Sequence, residues 1–143
     1  MLIIIFMKKR VFIIHGWGGY PEEGWLPWLK KELEARNFEV QVPAMPDSEN
    51  PKIEKWVPRL AKLAGEPDEN TYFVGHSIGC QTILRYLQNL NNKKIGGAVL
   101  VAGWIYLENL EEEEKPIAEP WLNTPIDFGK VKKTTNKFAV ILS

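Results

Sequence analysis

Tyr72-Phe73-Val74-Gly75-His76-Ser77-Ile78-Gly79 runs from an apolar strand pattern through Gly-x-Ser-x-Gly into a helical pattern that begins at Ile78. That order lifts a serine hydroxyl to the end of a strand, where it can act as a nucleophile. The turn is tight and the serine in it is expected to be strained, so a Cβ at Gly75 or Gly79 would crowd it. Three matching positions alone also occur in idle glycine-rich turns. The strand before them and the helix after them point to acyl-transfer chemistry at Ser77.

Working outward, Arg10 to Ile14 predicts a first strand that ends in His15-Gly16-Trp17-Gly18-Gly19. Alone, this reads as a glycine-rich connection to a crossover helix. Paired with the serine turn, it is where one of two oxyanion donors is expected, the other being the amide of the residue after the nucleophile. Those amides belong to Trp17 and Ile78, with His15, Gly16, Gly75, His76 and Gly79 as the supporting motif residues.

With both motifs in place, the chain resembles the small α/β-hydrolase-fold serine hydrolases of the retinoblastoma-binding-protein-9 and YdeN type. The matching stretches are VFIIHGWGGYPEEGWLPWLKKELE, VPAMPDSENPKIEKWV, YFVGHSIGCQTILRYL, GAVLVAGW and PWLNTPIDFGKVK, so the likeness runs from about Val11 to the last residues. The resemblance implies a cytoplasmic hydrolase with a Ser, Asp, His triad, no metal and no organic cofactor. It leaves the substrate open beyond a small ester or amide.

The chain departs from that pattern after Phe138 to Leu142. In the family an Asp-rich turn and, later, a Gly-His step follow this strand, whereas this sequence stops at Ser143. The expectation is a C-terminally truncated enzyme, with triad acid and base missing and activity weak or absent. The two histidines are His15 and His76. His15 precedes the serine, against the Ser, acid, His order of this fold. His76 neighbours the serine in an extended stretch, so their side chains should point apart. Asp47, Asp68 and Asp127 all read as loop, turn or cap residues that bond nearby amides. A second reading is a non-catalytic binding or interaction protein that keeps the fold.

The remaining pattern is that of one α/β domain over residues 1–143, a three-layer sandwich on a parallel sheet ordered 2-1-3-4-5. Helices are predicted around Pro27 to Arg36, after an Asn50-Pro51 cap, and from Ile78 to Leu90. Strands are predicted at Phe38 to Val42, Thr71 to Val74, Ala98 to Val101 and Phe138 to Leu142. Pro58 should kink the second helix or restart it. Trp104 to Asn136 shows no clear period and reads as a cap-like excursion beside the serine. Trp104, Tyr106 and Trp121 are its pocket-wall candidates, although such aromatics also simply pack a cap onto a sheet.

Composition narrows the partners. Eighteen Lys and Arg balance eighteen Asp and Glu, so no net charge draws the chain to phosphate backbones or anionic lipid. Leu2 to Phe6 is too short an apolar run to span a bilayer, and its basic residues follow it, unlike a signal peptide. The single Cys80 excludes an intrachain disulfide and fits a reducing compartment. Phe138 to Leu142 is strand-prone with nothing after it to cover its edge, so either a homodimer through this strand or a poorly ordered C-terminus with weak solubility is expected.

Overall fold

The computed structural model describes residues 8–142, so the Leu2 to Phe6 run lies outside the described residues. Ten elements follow in order among the described residues, strand and helix alternating except for two helices before the last strand: β1 (Arg10–Ile14), α1 (Leu26–Ala35), β2 (Glu39–Gln41), α2 (Ile53–Ala64), β3 (Thr71–His76), α3 (Ile78–Leu87), β4 (Gly97–Val101), α4 (Lys115–Asn123), α5 (Phe128–Lys132) and β5 (Phe138–Ile141). All strand pairs are parallel, in the order β2-β1-β3-β4-β5.

β1 shows why its residues read as one continuous apolar run. Phe12 and Ile14 enter a large core shared with α2 and α3, while Val11 and Ile13 enter a second core under α1. A parallel strand covered on both faces loses the polar half of its alternation. The order of strands then brings the carboxyl ends of β1 and β3 side by side, with Ile14 opposite Gly75. That is the crevice where open α/β sheets place their sites.

Several expected boundaries shift for physical reasons. β2 keeps only three residues because it is an edge strand with Val40 alone buried. The Asn50-Pro51 cap does not form. Lys52 occupies the cap position of α2 without a side-chain bond, and the Pro51 carbonyl instead accepts from Trp121 Nε1 at 2.9 Å. α2 runs unbroken through Pro58, which sits on its exposed side, where water can meet the carbonyl that proline leaves free. α3 stops at Leu87, and Asn91 and Asn92 follow with φ of 48° and 71°, left-handed conformations that asparagine tolerates.

The stretch from Trp104 to Asn136, which has no clear sequence period, contains α4 and α5. α4 opens with Pro116 and buries only Ala118 and Trp121, too few anchors to show a helical period. Asp127 caps α5, its Oδ1 accepting from the Lys130 amide at 3.1 Å, as its turn reading anticipated. Among the described residues, no helix is long and apolar enough to cross a membrane.

Candidate active site

Ser77 stands between β3 and α3 with φ 54° and ψ −121°, a left-handed conformation that a residue with a Cβ holds only at a cost. Its neighbours supply the constraint. The Ser77 amide donates to the Val101 carbonyl at 2.9 Å, extending the sheet ladder, and its carbonyl accepts from Cys80 at 3.0 Å, starting the helix. Satisfying both partners within one residue forces the sharp reversal.

The two flanking glycines are there for close approach, although the clash each avoids is with neighbouring elements rather than with the serine. A Cβ on Gly79 would lie 2.3 Å from the Ile14 carbonyl oxygen of β1. One on Gly75 would lie 2.8 Å from the Cys80 nitrogen. Backbone cannot yield at those distances, so α3 packs directly on the strands only with glycine there.

The His15 to Gly19 loop meets this turn. A Cβ on Gly16 would fall 3.2 Å from Ser77 Cβ. Gly18 and Gly19 tie the loop down, their amides donating to the carbonyls of Ser48 and Gly16 at 2.7 and 3.0 Å. Among the described residues, neither the Trp17 nor the Ile78 amide has a hydrogen-bond partner. Two unengaged amides on the loops that flank a serine are the chemical requirement for holding an oxyanion.

His15 has both ring nitrogens occupied, whereas His76 makes only a ring contact. His15 is 1% exposed, its Nε2 accepts from the Met45 amide at 3.0 Å, and Nδ1 therefore carries the proton toward the Gly16 carbonyl at 2.8 Å. Its ring also meets Trp56 edge-on at 5.3 Å. Burial holds its pKa below the ordinary value, so the imidazole stays neutral. It pins the loop. His76 packs edge-on against Trp25 at 5.7 Å, below α1. Cys80 is buried, donates Sγ–H to the Val101 carbonyl, and has its pKa pushed up to about 12 by burial, the opposite of a reactive thiol.

Of the three pocket-wall candidates, Trp104 touches the serine, donating its indole N–H to Ser77 Oγ at 3.0 Å. Tyr106 is 70% exposed on the same segment. Trp121 proves to be a core residue, 2% exposed, edge-on to Trp56 at 6.1 Å and beneath the Arg85 guanidinium. Sequence reasoning passed over Arg85. Its buried guanidinium donates to Gln81 Oε1 and to the Trp121 and Thr124 carbonyls at 2.8 to 3.2 Å, fastening α4 to α3. An arginine on a helix otherwise buried throughout was the available signal.

A cavity of about 760 Å³ lies elsewhere, between α1 and the sheet, lined by Trp28, Leu33, Val99 and Ile141 among others. It does not include Ser77.

A parallel sheet ordered 2-1-3-4-5, with a strained serine at the strand-to-helix turn, defines the α/β-hydrolase class of fold. The family model for serine hydrolases matches residues 11–138, and the chain belongs to that family. It is 41% identical over 99 residues to YdeN of Bacillus subtilis (strain 168), a match covering 68% of this chain and 52% of that protein. The serine hydrolase RBBP9 of Rattus norvegicus is 27% identical over 119 residues, covering 82% of this chain and 60% of the rat protein. The crystal structure of the B. subtilis ydeN product superposes with a TM-score of 0.83 at 32% identity, covering 94% of this chain and 71% of the other. The chain thus spans between half and two thirds of the length of these two relatives.

Proposed function

We propose that Ser77 is the nucleophile of a hydrolase acting on small esters or amides. Its Oγ adds to the substrate carbonyl carbon and its proton passes to a base, while the carbonyl oxygen gains charge between the Trp17 and Ile78 amides. Collapse expels the alcohol or amine, and water then releases the acid from the acyl-serine. The observation that carries this reading is Ser77 held at φ 54° against the His15 loop, with both flanking amides unengaged. A fluorophosphonate probe tests it. In imidazole buffer, where the buffer supplies the base, labelling should map to Ser77 by mass spectrometry and vanish in Ser77→Ala. Labelling that persists in Ser77→Ala would overturn it.

One observation favours a second reading, a binding protein that recognises ligands at this turn without hydrolysing them. His15 spends both ring nitrogens on Gly16 and Met45, and His76 packs on Trp25 with no hydrogen bond to Ser77 among the described residues. The buried free thiol of Cys80 supports a reducing, cytoplasmic location under either reading.

We further propose that the protein pairs through β5. This strand ends the described sheet, and Val140 and Ile141 on it are 62% and 53% exposed. An apolar edge with free amides and carbonyls is a template for a second strand. Light scattering at micromolar concentration should give a dimer for the parent chain and a monomer for Val140→Lys. A monodisperse parent monomer would contradict the proposal.

A further inference from the structure

Residues 102–114 connect β4 to α4 without helix or strand. From Gly103 to Leu110, the hydrogen bonds to the rest of the described protein converge on Trp104. Gln81 Nε2 donates to its carbonyl at 3.0 Å, and its indole N–H donates to Ser77 Oγ at 3.0 Å. The segment is bounded by left-handed residues, Ala102 at φ 49° and Asn109 at φ 57°. Ile105 and Tyr106, next in line, are 67% and 70% exposed. The segment is therefore a strap fastened through Trp104, its carbonyl to Gln81 on α3 and its indole to the serine.

An indole nitrogen donates and does not accept, so the contact takes up a lone pair of Oγ. The ring also fills space beside an oxygen that an electrophilic carbon must approach to about 3 to 3.5 Å. Trp104 packs against the apolar cluster that holds Ile78 and Ile83, so the space it would vacate is apolar. One neutral hydrogen bond holds such a closed state by only roughly two- to tenfold. It is a latch weak enough for a ligand to open.

Building on Ser77 as the nucleophile, we propose that Trp104 is a specificity-determining gate. Its indole shields Ser77 in the free protein, and a ligand reaches the serine by putting a flat apolar group in the ring's place. Esters and amides with such a group in the acyl part are the substrate class this favours.

The test compares parent, Trp104→Phe and Trp104→Ala for the rate of Ser77 labelling by an aryl fluorophosphonate in imidazole buffer. Phenylalanine keeps a ring but loses the N–H, so labelling should rise roughly two- to tenfold. Alanine removes the shield as well, and the rise should exceed about tenfold. Equal rates in all three proteins, or slower labelling of Trp104→Ala, would overturn the gate. No labelling in any of them would instead sink the nucleophile reading, and the latch is then read without chemistry. The Trp104 indole signal in a ¹H–¹⁵N spectrum should exchange slowly with solvent and move in Ser77→Ala. A signal that does not respond to that substitution overturns the contact itself.

Discussion

Assayed without added imidazole, this chain should turn over short p-nitrophenyl esters about a millionfold more slowly than a serine hydrolase with its base in place. Removing the base from a serine triad costs on that order, and roughly a thousand- to ten-thousandfold acceleration over water survives from oxyanion stabilisation and binding. The expectation comes from geometry at Ser77. A general base must stand within about 3 Å of the hydroxyl, or one water away. His15 spends both ring nitrogens on Met45 and Gly16, and burial keeps it neutral. His76 is turned onto Trp25. The partner Ser77 Oγ does have is an indole, which cannot take a proton.

None of the aspartates is hydrogen-bonded to either histidine or to Ser77 among the described residues. Asp68 Oδ1 accepts from the Asn70 amide at 2.8 Å, Asp127 caps α5, and Asp47 is exposed in the loop before α2. Turnover at ordinary enzymatic rates, abolished by Ser77→Ala, would show that a base reaches the serine after all. Acceleration by imidazole with saturation in the buffer base would support the vacant role.

What could be read in advance was whatever a single segment specifies. The serine turn is legible because glycine is required on both sides of it by contacts that any sequence in this fold must make, Gly79 against β1 and Gly75 against α3. The strand order followed from right-handed crossovers and a reversal between β1 and β3, the arrangement that sets the His15 loop beside the Ser77 turn. Features made by residues far apart were hidden. The bond between Trp104 and Ser77 joins positions 27 apart, and the one fixing the His15 tautomer comes from Met45, 30 positions on. Trp121 read equally well as pocket wall or packing residue, and only Trp56, Arg85 and the Pro51 carbonyl around it decide for packing. α4 escaped notice because Pro116 and Pro120 discourage a helical reading, and its stability comes from Trp121 rather than from propensity.

Trp56→Ala should be the most destabilising of the aromatic truncations near the site, by about 3–5 kcal/mol. Trp56 is fully buried and joins three parts of the protein at once. Its indole N–H donates to the Pro46 carbonyl at 2.8 Å, and its ring meets both His15 and Trp121 edge-on. Alanine leaves a cavity between them and strands that carbonyl without its donor, a cost of roughly 1–3 kcal/mol where water cannot enter. Thermal unfolding should fall by about 10–20 °C. Trp28→Ala, at a side chain 62% exposed, should cost less than about 0.5 kcal/mol and controls for loss of a tryptophan as such. The effect should also reach the oxyanion loop. Pro46 follows Met45, whose amide holds His15 Nε2, so loosening that loop admits water to the imidazole. Burial is the main cause of its lowered pKa, and partial exposure should therefore move the His15 titration upward toward its ordinary value. Histidine NMR titration of the folded variant would show this. A variant losing under 1 kcal/mol, with His15 unmoved, would mean that Trp56 only fills space and that the loop is held by its own hydrogen bonds.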